Sequence, residues 1–441
     1  MQIDRDSLPP NFRRNFALLM IGSASFNIAF TFISISSVMP ALAGQLTDST
    51  PLIGLVGTIF AGGWFLPQLL IARLIRDKPR KKPYVLIGLT GRVSLLIIAW
   101  ALWFGLARNP ATMLAVYYFS VALFAVSDGF ASVPWFDILR RAIPVQRRGR
   151  LIGGSQVIGG VAGIGVGALV GVILGSSRLP FPHNYALLFT LAAICLLPST
   201  IALMLLREPP PPKATTQPDE TEGSQWLRDV IKDPSFRRVT LCRLLVSMVD
   251  LSTSFYVGHA AAVLHLPARV IGSFVVAQTV GGIAASALLG LAAERWGSRV
   301  VIQIGSVTTV LAPLLALAAH LVRSDILVMA YPAVYAVLGA LNSVRMLGFS
   351  NYILEIAPED KCPAYVGLAN TIMGAITIVP TLGGWLLQTT SYTVLFVVSA
   401  VLVAAGFLVS LTLQPAHQRH SPPAPSTPTP AVASIASQDP S

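Results

Sequence analysis

The chain has 441 residues, of which 54% are hydrophobic and 11% charged, against roughly a quarter charged in ordinary soluble domains. That balance excludes a soluble globular protein and predicts a multi-pass membrane protein. A formal charge of +12 would suggest nucleic acid in a soluble chain, but here its distribution reads as membrane orientation, so no nucleic-acid partner is expected.

A crossing helix needs about 20 apolar residues, and the apolar runs predict twelve. They fall near 16–42, 52–75, 84–107, 111–139, 150–175, 184–206, 238–264, 268–292, 300–322, 325–355, 364–388 and 391–413. A polar lead of Asp4, Arg5, Arg13 and Arg14 precedes a first span too long for a signal segment, so none is expected to be cleaved. Residues 1–206 hold six spans and 237–413 another six. Between them, 207–236 reads as a cytoplasmic linker that opens on Pro209 to Pro212 and passes Asp219, Glu220 and Glu222. The tail, 414–441, is Pro, Ser, Thr and Ala, cannot bury a core, and is expected to be disordered.

Of the 31 Lys and Arg residues, 24 fall on the side of the termini, and only Arg108, Arg178, Arg269 and Arg323 on the other. Arg92, Arg243 and Arg345 fall inside spans. The positive-inside rule then predicts both termini and the basic loops in the cytoplasm, and a cell-membrane location. Cys195, Cys242 and Cys362 show no metal or redox spacing, and no disulfide is expected.

The two halves look like repeats. Phe12-Arg13-Arg14 recurs as Phe236-Arg237-Arg238. A shift of 214 residues sets Asp128 on Asn342, Asp137 on Asn351, Pro144 on Pro358 and Gly153 on Gly367; near the second loop a shift of 217 sets Asp77 on Glu294 and Gly88 on Gly305.

One string is specific. From Gly290 to Arg299 the sequence reads GLAAERWGSR, where Gly290 permits close helix approach, Glu294 and Arg295 can tie one helix end to its neighbour, and Gly297 allows a tight turn. It resembles the cytoplasmic loop motif of the major facilitator superfamily of secondary transporters. The first-half version, RLIRDKPRKK, lacks both glycines but keeps Asp77 with Arg80 and Lys81. The resemblance covers about Phe12 to Leu413. It implies an all-α membrane protein of twelve transmembrane helices in two pseudo-symmetric six-helix halves, with these loops as charged latches.

Counted at 1.5 Å per residue from the helix ends, Asn27, Asp128, Asp250 and Asn342 lie near mid-membrane in spans 1, 4, 7 and 10. The resemblance implies that those four helices line a central cavity. Arg345 is three residues past Asn342, on the same face. An intramembrane charge is costly and tends to be functional, so Asp128 and Asp250 are expected to act in proton or substrate handling. Their plainer readings are structural: Asp128 bonded to a neighbouring helix, Asp250 paired with Arg243 two turns away. Arg345 divides between a cavity role and a pair with Asp250 or Asp128. Arg92 is expected to reach the cytoplasmic surface, Asn27 and Asn342 to bridge helices, and Asp137 to pair with Arg140 and Arg141. His259 and His265 are expected in a polar loop.

Glycines crowd span 5, from Gly153 to Gly171, but the proline of an exporter motif is missing. No zinc-ligand pair, nucleophile elbow or phosphate loop is present, so a polytopic membrane enzyme is the least favoured reading, no enzyme is expected, and neither cofactor nor metal is expected. The expected function is secondary transport of a small organic solute by a monomer, coupled to protons. Alternatives are a sugar or organic-anion symporter rather than an exporter of lipophilic compounds, or a membrane sensor without flux.

Overall fold

Within a bilayer the backbone has no partner but itself, and the long apolar runs close into helices. The structure, a computed structural model, describes residues 9–75, 78–210, 230–358 and 361–414, and among these no strand occurs. The acidic stretch of the linker and nearly all of the tail lie outside the described residues.

Span 1 comprises Phe12–Phe32 and, after a break, Val38–Leu46. Spans 2 to 6 are Thr50–Ile75, Lys82–Trp103, Pro110–Ala142, Val145–Leu174 and His183–Leu205. Span 7 is built from three pieces, Pro234–Ser247, Asp250–Thr253 and Tyr256–Ala262. Spans 8 and 9 form one helical run, Val270–Val322, of 53 residues. At 1.5 Å per residue that run is about 80 Å long, well beyond a hydrocarbon core of about 30 Å. Gly297 divides it, with φ 80° and ψ 170°. Glycine tolerates that backbone because it lacks a Cβ, so two helices meet there and the run supplies two crossings. Span 10 is Asp325–Ile356, span 11 Tyr365–Thr389 and span 12 Tyr392–Leu411. Among the described residues the crossings number twelve, as the apolar runs predict.

Packing repeats as the sequence does. Span 1 packs on spans 5 and 6, span 2 on span 4, and span 3 on spans 4 and 6. In the second half, span 7 packs on spans 11 and 12, span 8 on span 10, and span 9 on spans 10 and 12. The aligned glycines do the same work. A Cβ on Gly88 would sit 2.7 Å from Ala131 Cβ, and one on Gly305 would sit 2.3 Å from Val344 Cγ2. Each therefore lets the third helix of its half press against the fourth.

The halves meet along two seams, span 5 against span 8 and span 2 against span 11, and both seams stop partway. A Cβ on Gly160 would lie 2.6 Å from Ile283, on Gly167 2.7 Å from Val276, and on Gly175 2.8 Å from Arg269, all in the other half. Towards the end that carries the basic loops, a Cβ on Gly149, Gly153, Gly290, Gly367 or Gly374 would meet nothing within 4 Å. In the other seam Thr58 Oγ1 and Thr381 Oγ1 are 2.8 Å apart and Thr50 Oγ1 donates to Gly384 O at 2.6 Å. Ser36 Oγ adds a 2.8 Å bond to Gln278 Oε1. The halves are thus joined at the end away from the basic loops and diverge towards it.

Candidate translocation site

Charges inside the bundle gather in two groups, one in each half. In the first, Gly91 of span 3 abuts Ser127 of span 4 so closely that a Cβ would lie 2.1 Å from the serine Cβ. That approach places the neighbouring residues, Arg92 and Asp128, within electrostatic reach of each other. Trp64 of span 2 donates its indole N–H to Asp128 Oδ2 at 3.2 Å. Arg92 does not run out to the surface as expected. It turns inward, donating from Nη1 to Thr200 Oγ1 at 2.8 Å with its guanidinium 5.7 Å from the Phe26 ring centroid. The physical reason is local: Thr90–Val93 is a 3₁₀ turn, which rotates the side chain towards spans 1 and 6.

In the second half Arg345 Nη2 donates to Asp250 Oδ2 at 2.8 Å, joining span 10 to span 7. Each side chain keeps about a third of its surface exposed, at 34% and 33%. Asp250 opens a new helical piece after the break at Met248 and Val249, and Arg345 lies in a π-helical segment, Val344–Ser350. Mid-helix 3₁₀ and π geometry recurs at functional hinges, and here Arg92 and Arg345 both sit in such geometry. Asp250 takes Arg345 as its partner and not Arg243. Arg243 makes no hydrogen bond or ion pair with the described residues, its buried Nε has no partner, and it is repelled by Arg345.

The two asparagines differ. Asn27 packs against span 5, where a Cβ on Gly159 would touch its Cβ at 2.8 Å. Asn342 is exposed and makes no hydrogen bond with the described residues, while the adjacent Ser343 bonds Ser286 of span 8 at 2.8 Å. The structure therefore brings Asp250 and Arg345 into direct contact, sets Asp128 near Arg92, and leaves Asn27 and Asn342 without side-chain bonds.

At the basic end, Glu294 and Arg295 are exposed and without a partner among the described residues. Gly290 and Gly297 face open space. Arg299 turns inward, with a buried Nε that lacks a partner. Asp77 lies outside the described residues, and Arg80 is exposed. Lys81 is held by its backbone N–H, which donates to Glu208 Oε1 at 2.6 Å, while the Lys82 N–H donates to Oε2 of the same carboxylate at 3.0 Å. Arg141 bridges that glutamate at 3.0 Å and Asp137 at 2.9 Å. Glu208, at the end of span 6, thus ties spans 3, 4 and 6 together. Its signal in the sequence is a lone acid between Arg207 and the proline run.

His259 corrects another expectation. It is fully buried, with Nδ1 3.0 Å from Tyr331 Oη and Nε2 3.1 Å from His320 Nδ1. Tyr331 donates its hydroxyl to Tyr256 O at 3.0 Å. It therefore accepts from His259 Nδ1, which leaves Nε2 to accept from His320. His265 does lie in a loop, between spans 7 and 8, with φ 53°.

A family model described as Major Facilitator Superfamily matches residues 19–268 and 239–440. The chain belongs to this superfamily. Among solved structures, a bacterial homologue of the iron transporter ferroportin in an inward-facing state superposes with TM-score 0.68 at 14% identity, covering 91% of this chain and 98% of that one. The nucleoside transporter NupG gives 0.64 at 12% identity over 91% and 100%. A bacterial homologue of the human lysosomal transporter Spinster gives 0.62 at 15% over 94% and 99%. At such identities the likeness shows the fold alone. No curated protein matches the sequence. As a member of the major facilitator superfamily the protein is a multi-pass membrane transporter of a solute and not an enzyme.

Proposed function

We propose that the protein moves a small organic solute by secondary active transport, rocking its halves about a central site and coupling the movement to protons through Asp128. The observation that carries this reading is the pairing of embedded charge with incomplete seams. Asp128 and Asp250 sit deep in halves that are joined at one end and separate at the other. With the basic loops in the cytoplasm, the structure corresponds to a state closed outward and open inward. Glu294 and Arg295 then stand free because their latch forms when the inner end closes.

Reconstitution in liposomes tests it. Solutes from a radiolabelled panel should accumulate uphill when a pH gradient is imposed, and a protonophore should abolish the accumulation. Downhill flux insensitive to the gradient would remove the coupling, and no flux for any solute would favour a sensor.

A further inference from the structure

The second half holds two arginines and one carboxylate in one place. Arg243 precedes Asp250 by seven residues on span 7, across the break at Met248 and Val249, and lies close enough to Arg345 for the two charges to repel. Arg345 reaches Asp250 from span 10. The Asp250–Arg345 bridge cancels one positive charge. The other remains on Arg243, which has no hydrogen bond or ion pair with the described residues and a buried, unpartnered Nε. Arg243 and Arg345 repel each other, and an unpaired guanidinium inside a membrane protein is costly. The arrangement resembles a receptor whose ligand completes the charge balance.

We propose that Arg243 and Arg345 form the anion subsite of the translocation pathway, and that the transported solute is a small organic acid carrying one net negative charge, its carboxylate held by both guanidinium groups. Guanidinium forks suit a planar carboxylate because two parallel N–H donors meet two oxygens. Asp250 anchors Arg345 from one side and leaves the remaining donors to the ligand. By residue count Arg243 and Arg345 lie about 15 Å from the basic ends of their helices, within reach of the open end. The proposal rests on the transporter reading and narrows its substrate.

Thermal unfolding of the purified full-length protein gives the test, with sodium benzoate and sodium lactate as probes against benzamide and lactamide at equal ionic strength. Wild type should be protected by the carboxylates at concentrations roughly tenfold or more below those at which the amides act, as fits a charge-assisted contact. In Arg243→Gln the difference should vanish, while the ligand-free midpoint stays level or rises because an unpaired charge has been removed. Arg243→Lys, which keeps the charge without the fork, should fold and retain a weakened preference. Amides protecting as well as carboxylates, or no carboxylate preference in wild type, overturns the proposal. So does Arg243→Gln with a lowered ligand-free midpoint and an intact carboxylate response, since that marks a structural arginine. Exchange of a neutral or cationic solute in liposomes would sink the anion subsite and keep the transporter; carboxylate binding without flux of any solute would do the reverse.

Discussion

Trp64 donates its indole N–H to Asp128 over 3.2 Å, so the embedded carboxylate is pinned on one oxygen by a neighbouring span and faces Arg92 across the same space. Its repeat mate, Asn342, is neutral and makes no hydrogen bond with the described residues, so at this repeat position the titratable group stands in the first half only. Asp128→Asn keeps an acceptor for Trp64 and removes the titration. Solute binding should persist, whereas gradient-driven accumulation in liposomes should fall to equilibration. Uphill transport at the wild-type level by this variant would assign the residue to packing and pass coupling to Asp250.

Glu294 is exposed and makes no hydrogen bond or ion pair with the described residues, so Glu294→Ala should leave equilibrium affinity within about twofold while turnover drops, the pattern of a lost conformational contact. Titration of ligand binding together with exchange rates in liposomes separates the two. A large affinity loss with normal exchange would contradict a latch.

Orientation is testable independently of substrate. Cysteines placed at Ser49 or Ser177 should react with an impermeant thiol reagent added to intact cells, and one placed at Thr216 should react only after permeabilisation. Reaction at Thr216 in intact cells would invert the assigned topology.

The outer seam offers a direct handle on the conformational balance. A Cβ on Gly272 would sit 2.5 Å from Gly171 Cα in the opposite half. Gly272→Val should therefore destabilise the closed seam by about 1–3 kcal/mol, as overpacking does, and shift the population towards the form with that seam parted by about fivefold or more. Spin labels at Ser177→Cys and Thr390→Cys should report a longer distance. An unchanged distance distribution would mean that the seam gives way locally.

Much of the architecture was legible because it depends on local pattern. Apolar runs mark the twelve spans, and the 214-residue offset carries Gly153 onto Gly367, which both face open space. The site was legible only as a set of residue types. Asp250 and Arg345 stand out by charge, yet their pairing follows from the break in span 7 and the π segment in span 10, which rotate the side chains in ways that no regular helical wheel reproduces. Arg92 turned inward for a similar reason, its 3₁₀ turn. His259 was misread because Tyr331 and His320, which satisfy its nitrogens, lie 72 and 61 residues away. Glu208 leaves little trace in side-chain spacing because two of its partners are backbone N–H groups at the start of another span and the third, Arg141, is 67 residues away.

Many of the residues that close the seams carry few rotatable bonds: Gly167, Gly171 and Gly272 in one, Gly54, Gly384, Pro380, Thr58 and Thr381 in the other. Glycine and proline lose almost no side-chain entropy on burial, whereas a long side chain loses up to about 2 kcal/mol. Parting and rejoining such a surface freezes and frees very little rotamer disorder. Side-chain freezing therefore weighs little in parting or closing the seam, which leaves hydrogen bonds, packing and solute to set the balance between the two open forms.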